Sequence, residues 1–176
     1  RGDYTGEISA EMIADSGLDF CFVGQSERRE YFGETDEEIN QKIKKLVEYE
    51  VLPILFVGDT LQEREKNVST KCVLDRLRKA LLGVDTDIIV VYEPMFKQDE
   101  LKVTNKFISQ MIDSIKKELA TILPGREQTV LYSGEITTKN SNAVFNIDNL
   151  DGIVLNECVD PERFAKIVSS LFVEVK

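Results

Sequence analysis

Gly24-Gln25-Ser26-Glu27-Arg28-Arg29 is the stretch whose reading decides the fold, and it continues into Tyr31-Phe32-Gly33-Glu34-Thr35. Before it stands the apolar run Phe20-Cys21-Phe22-Val23, the pattern expected of a strand buried in a parallel sheet. After it comes Thr35-x-x-Glu38, a capping-box signature, and then a helix with apolar positions Ile39, Ile43, Leu46 and Val47 on one face. A strand, a charged turn and a capped helix make one β/α unit. Its charges gather at the carboxyl end of the strand, the end at which α/β folds place their chemistry.

The same unit repeats along the chain. Ser9 caps a short helix over residues 9–15, with Glu11 in its first turn. Leu52-Pro53-Ile54-Leu55-Phe56-Val57-Gly58 predicts a second buried strand, its proline near the start where it is tolerated. A turn at Asp59-Thr60 leads to helical sequence that runs to Leu82 with a break near Asn67. Ile88-Ile89-Val90-Val91-Tyr92 is the third strand, an unbroken apolar run. A polar loop over 96–103 precedes a helix at 104–122 that lines up Phe107, Ile108, Met111, Ile112, Ile115 and Leu119, and Pro124-Gly125 stops it. Thr129–Tyr132 and Gly152–Leu155 read as the fourth and fifth strands. Asp160-Pro161 starts a last helix with Phe164, Ile167, Val168 and Leu171 facing inward. Strands and helices alternating at this spacing argue for a parallel sheet, and for one domain over residues 1–176. Periodicity alone does not separate an open sheet from a barrel.

Composition narrows the function classes. The chain of 176 residues carries 32 acidic and 22 basic side chains, a formal net charge of −10. That excess disfavours nucleic acid and anionic membranes as partners. No apolar run approaches the roughly 18 residues of a membrane span. Cys21, Cys72 and Cys158 lack metal-ligand spacing, which suits reduced thiols in the cytoplasm. Histidine is absent from the sequence, and the chain opens on Arg1-Gly2-Asp3 rather than methionine, so a fragment, a processed product or a chain whose beginning is not represented is expected.

These motifs resemble the triosephosphate isomerase family. Gly24–Arg29 matches its Gly-His-Ser-Glu-Arg-Arg segment, with Gln25 at the histidine position. Tyr4-Thr5-Gly6-Glu7-Ile8-Ser9 resembles its subunit-contact loop, and Tyr92-Glu93-Pro94 its catalytic-glutamate segment. The resemblance implies a (β/α)8 barrel of which this chain supplies the fourth to eighth strands. The first three, which carry the family's asparagine and lysine, are not represented. It implies proton transfer between adjacent carbons of a triose phosphate, with Glu93 as base and a neutral histidine as electrophile. No cofactor or metal is implied.

Against that template several positions are altered. Gln25 can donate a hydrogen bond to a carbonyl oxygen but cannot relay a proton. The family's glycine-bearing lid hinge is replaced by Met95-Phe96-Lys97-Gln98-Asp99-Glu100-Leu101-Lys102, with less backbone freedom. The phosphate cradle, Tyr-Gly-Gly-Ser in the family, reads Tyr132-Ser133-Gly134-Glu135, and the later Gly-Gly pair reads Asn156-Glu157. A phosphate dianion needs bare amides. Glu135 and Glu157 would oppose it by on the order of 1 kcal/mol each or more. Tyr4, Thr5, Gly6, Glu7, Glu27 and Arg28 fall at dimer-contact positions, so a homodimer is expected. The leading expectation is an inactive or strongly impaired family member. Alternatives are a divergent working isomerase acting on a sugar phosphate, and a module binding a metal or cationic ligand through Glu93, Glu135 and Glu157.

Overall fold

The computed structural model describes residues 3–96, 101–156 and 160–171. Its strands are β1 (Phe20–Val23), β2 (Leu52–Val57), β3 (Ile88–Tyr92), β4 (Gln128–Ser133) and β5 (Gly152–Val154). All pair in parallel, each with the next strand of the chain, in the order β1-β2-β3-β4-β5. Phe22 lies against Ile54, Leu55 against Val90, Val90 against Val130, and Tyr132 against Ile153.

Helices connect the strands: α1 (Ala10–Asp15), α2 (Ser26–Phe32), α3 (Asp36–Glu48), α4 (Leu61–Glu65), α5 (Ser69–Ala80), α6 (Asn105–Ile122), α7 (Ser141–Phe145) and α8 (Pro161–Leu171). Alternate strand residues Leu55, Val57, Val90, Tyr92, Val130 and Tyr132 join one apolar core with Ile39 and Ile43 of α3, Val73 and Leu77 of α5, and Met111 and Ile115 of α6. Successive strand side chains point to opposite faces. Phe22, Ile54, Phe56, Ile89, Val91 and Leu131 therefore line the other face, and none of them belongs to the helix-side core. Sequential strand order with the helix layer on one face is the geometry of a barrel wall. A doubly wound sheet reverses its strand order and carries helices on both faces. The observed sheet is a partial TIM barrel.

Local chemistry explains the helix boundaries. Thr35 accepts from the Glu38 amide at 3.2 Å and the Glu38 carboxylate accepts from the Thr35 amide at 2.8 Å, closing the expected capping box. Ser9 and Thr104 cap α1 and α6 in the simpler way, each accepting one amide at 3.2 Å. Asn67, at φ 56°, makes the break between α4 and α5. Buried Asn40 of α3 donates to the carbonyls of Ala80 (2.8 Å) and Leu82 (3.0 Å), satisfying the orphan end of α5.

Three expectations are corrected. The charged stretch after Gly24 is helical, not a turn: Ser26–Phe32 forms α2, because Glu27, Arg28, Arg29 and Glu30 are competent helix formers and Gly33 ends the helix at φ 66°. β1 is parallel but buried only in part: Val23 joins the core, while Phe20 is 52% and Phe22 50% exposed. Among the described residues β1 pairs with β2 alone, and the Phe22 and Phe56 rings meet edge-on with centroids 5.2 Å apart. Phe164 does not face inward. It is 48% exposed and lines an apolar groove of about 470 Å³ with Phe145, Ile153, Leu155, Val168 and Leu171, beside the open edge of β5.

Candidate active site

The carboxyl ends of the five strands bring together residues far apart in sequence. At the end of β1, Gly24 has φ 77°, and a side chain there would press on the Phe56 carbonyl at 3.0 Å. The chain can then turn sharply into α2, whose Arg29 donates to the Gly24 carbonyl (3.0 Å) and pairs with Asp36 (2.7 Å). Arg28 reaches Glu7 at 3.5 Å and Glu34 at 3.6 Å, and buried Glu34 is also paired with Lys42.

At the end of β3, Glu93 is nearly buried, 7% exposed. Its amide donates to the Val57 carbonyl and the Met95 amide to the Asp59 carbonyl, both at 2.9 Å, so β2 straps down the segment that carries the carboxylate. Gly58 makes the strap possible, because a Cβ there would overlap the Glu93 carbonyl. Below the strap, Asp59 is fully buried. It accepts from Arg64 Nε (2.8 Å), Arg64 Nη2 (3.2 Å) and the Tyr92 hydroxyl (2.8 Å), while Arg64 Nη2 also donates to that hydroxyl at 2.8 Å. Burial, reinforced by the Asp59 charge, pushes the Tyr92 phenol far above its ordinary pKa. The Arg64 guanidinium lies over the Phe107 ring at 3.5 Å and the Phe96 ring at 5.4 Å, which seals the network from above.

The Glu93 carboxylate has three donors. Oε1 accepts from Ser133 Oγ at 3.1 Å and Asn156 Nδ2 at 2.6 Å, and the Ser26 amide approaches Oε2 at 3.4 Å. Asn156 Nδ2 also donates to Ser133 Oγ at 2.7 Å. Beside this cluster a cleft of about 340 Å³ is lined by Gln25, Glu27, Arg28 and Asn156. Its walls are two carboxamides, a carboxylate and a guanidinium.

Of the residues singled out from sequence, Gln25, Glu27, Arg28, Ser133, Glu93 and Asn156 thus gather at one end of the sheet. Gly134 follows Ser133 at the end of β4. Glu135 is exposed, and its backbone carbonyl accepts from Asn140 Nδ2 at 2.8 Å. Glu157, Cys158 and the loop stretch 97–100 lie outside the described residues. Among the described residues no three of His, Cys, Asp and Glu are placed to hold a metal ion; the expected three-carboxylate set includes Glu157, which lies outside them. Tyr4, Thr5, Gly6 and Glu7 form an exposed turn closed by the Glu7 amide on the Tyr4 carbonyl (3.1 Å). Cys21 and Cys72 are half-buried free thiols, and burial raises the Cys21 pKa. No described helix is long and apolar enough to cross a membrane.

Sequence reading expected Arg64 to form an ion pair, but missed the Gly58 strap and the Asp59 and Tyr92 partners of Arg64. One available signal was Thr60-x-x-Glu63, which forms a second capping box at the start of α4, immediately after Asp59.

Comparison with known proteins agrees with this geometry. The family model described as triosephosphate isomerase matches residues 1–171. The triosephosphate isomerase of Thermodesulfovibrio yellowstonii is 31% identical over 96% of this chain and 71% of its own length. That of Acetivibrio thermocellus is 33% identical over 86% of the chain and 64% of its own length. That of Alkaliphilus metalliredigens is 36% identical over 88% of the chain and 66% of its own length. The chain therefore spans about two thirds of the relatives it matches. By the family match over nearly its whole length and by its half-barrel of sequential parallel strands, the chain belongs to the triosephosphate isomerase family.

Proposed function

We propose that this chain is a triosephosphate isomerase relative in which isomerisation is lost or strongly impaired. The observation that carries the reading is the cleft wall, where Gln25 and Asn156 stand at the positions that the resemblance gives to an imidazole and to a phosphate-binding glycine. A carboxamide polarises a carbonyl only as a neutral donor and shuttles no proton, and a side chain at Asn156 fills space that a phosphate would need. Exposed Glu135 adds negative charge where a dianion would approach. The alternative of a working isomerase keeps Glu93 as its base, since that carboxylate does stand at a strand end beside the cleft.

A coupled assay for interconversion of dihydroxyacetone phosphate and glyceraldehyde 3-phosphate decides between them. The purified protein is expected to show no turnover above the uncatalysed rate; robust turnover overturns the proposal. A homodimer through Tyr4–Glu7, with Glu27 and Arg28, belongs to the same reading. It is supported by the 75% exposure of Tyr4 and by Tyr31 and Phe32, which are 71% and 69% exposed. Sedimentation as a single monomeric species at micromolar concentration would count against it. A cytoplasmic setting is consistent with the free thiols at Cys21 and Cys72.

A further inference from the structure

The donors around Glu93 close into a ring. A carboxamide nitrogen has two hydrogens and no more. At Asn156 one points to Glu93 Oε1 (2.6 Å) and the other to Ser133 Oγ (2.7 Å). The single hydroxyl hydrogen of Ser133 is then directed to the same Oε1, 3.1 Å away. Both lone pairs of Oε1 are occupied, and so are all three donor hydrogens of its partners. The charge fixes the sense of the ring, because turning the amide over would set Asn156 Oδ1 against a carboxylate oxygen. Two of the three members differ in burial. Ser133 is fully buried and Asn156 comes in from the solvent side.

We propose that Asn156 is a positioning residue that clamps Glu93: together with Ser133 it takes up the carboxylate that would otherwise act as a base, so that the protein's own side chains occupy the site. This rests on the reading that isomerisation is lost or impaired, and it adds a second cause of that loss, separate from Gln25. The ends of β3, β4 and β5 are bridged directly by Glu93, Ser133 and Asn156. A ligand seeking Oε1 would have to displace a charge-assisted hydrogen bond, the strong class, whereas Oε2 is approached by the Ser26 amide at 3.4 Å. Because Asn156 is exposed and lies two residues past the end of β5, replacing it leaves the sheet and the helix-side core untouched.

The clamp is tested without reference to isomerase activity, by the rate at which Glu93 is coupled to glycinamide by a water-soluble carbodiimide, read by peptide mass spectrometry. Exposed Glu135 on the same protein serves as the internal control. Three proteins are compared: the parent, Asn156→Ala and Asn156→Leu, each checked by circular dichroism. Leu has nearly the shape of Asn but no hydrogen to donate, so it separates a hydrogen-bonding clamp from a steric lid. Both variants are expected to raise the Glu93 rate by roughly tenfold or more, the scale of one lost hydrogen bond to a charged group, with Glu135 unchanged. A rate within twofold of the parent in Asn156→Ala overturns the clamp. A rise in Asn156→Ala but not in Asn156→Leu also overturns it, and makes Asn156 a cover only. In 15N spectra of the parent, both Asn156 side-chain protons should exchange with solvent more slowly than those of an exposed asparagine; rapid exchange of both counts against the ring. Turnover by the parent in the isomerase assay would refute the loss of function while leaving these readouts to judge the clamp on their own.

Discussion

Replacing Gly58 with alanine tests whether β2 and the Glu93 segment are as tightly strapped as described. A Cβ at this position would overlap the Glu93 carbonyl oxygen and lie 2.8 Å from its carbon. An ordinary carbon–carbon contact is about 3.5 Å or more, so the Glu93 backbone must retreat by about 0.7 Å at least. The strap cannot absorb that, because it consists of two hydrogen bonds at 2.9 Å, Glu93 N–H to Val57 and Met95 N–H to Asp59. Freeing two buried backbone pairs costs about 4 kcal/mol in all. For a chain of this size that is a fall of about 12 °C in Tm. Urea unfolding followed by circular dichroism measures the loss, and carbodiimide labelling of Glu93 reports whether the carboxylate has moved with its backbone. A Gly58→Ala protein within about 1 kcal/mol of the parent, with unchanged labelling, would refute the close approach and the idea that β2 sets the position of Glu93.

Arg64→Met removes the partner of a fully buried carboxylate, since the Asp59 side chain is 0% and that of Arg64 11% exposed. It should cost about 3–5 kcal/mol in urea unfolding, and a loss below about 1 kcal/mol would mean that water already reaches Asp59. Glu63 gives a pH signature. Burial alone would raise its pKa, but the bidentate Arg76 contact and the Thr60 amide outweigh burial and hold the carboxyl below its ordinary value. A depressed folded-state pKa contributes stability that is present above the unfolded value and lost as pH falls through the folded one. Glu63→Gln should therefore destabilise at pH 7 and make little difference near pH 3. Equal destabilisation at both pH values would refute the charge-based account.

Much of the wall was legible because it is written in local chemistry. Thr35 and Glu38 lie three residues apart, and Ile88–Tyr92 is apolar throughout, so cap and strand each declare themselves within a few residues. The misreadings at β1 and Phe164 share one physical origin. Phe20, Phe22 and Phe164 carry the apolarity of buried positions, yet they lie near the two borders of the sheet, where the described chain leaves about half of each ring exposed. Apolarity records what a position suits, not what covers it. The clamp was illegible for another reason. Asn156 and Glu93 are 63 residues apart, and neither belongs to a pattern that names the other. Asn156 could be seen as an altered phosphate position, but only the converging strand ends show that its amide turns onto the carboxylate. Ser26–Phe32 was obscured by its own charges, which suit an exposed helix as well as a turn.

The order of strands in the sheet is also their order in the polypeptide, and this bears on how the wall assembles. Phe20 of β1 meets Leu52 of β2, and Ile54 of β2 meets Ile89 of β3, so each strand finds its partner in the next unit along. Closing such a loop costs less entropy than joining distant segments, by about 0.6 kcal/mol for each doubling of loop length. Each unit also brings the helix that covers its own strand, so the sheet extends by accretion as the chain leaves the ribosome, without waiting for a distant partner. The same arrangement lets ancestral gain or loss of a terminal unit move the border of the sheet by one strand while every interior pairing stays as it was.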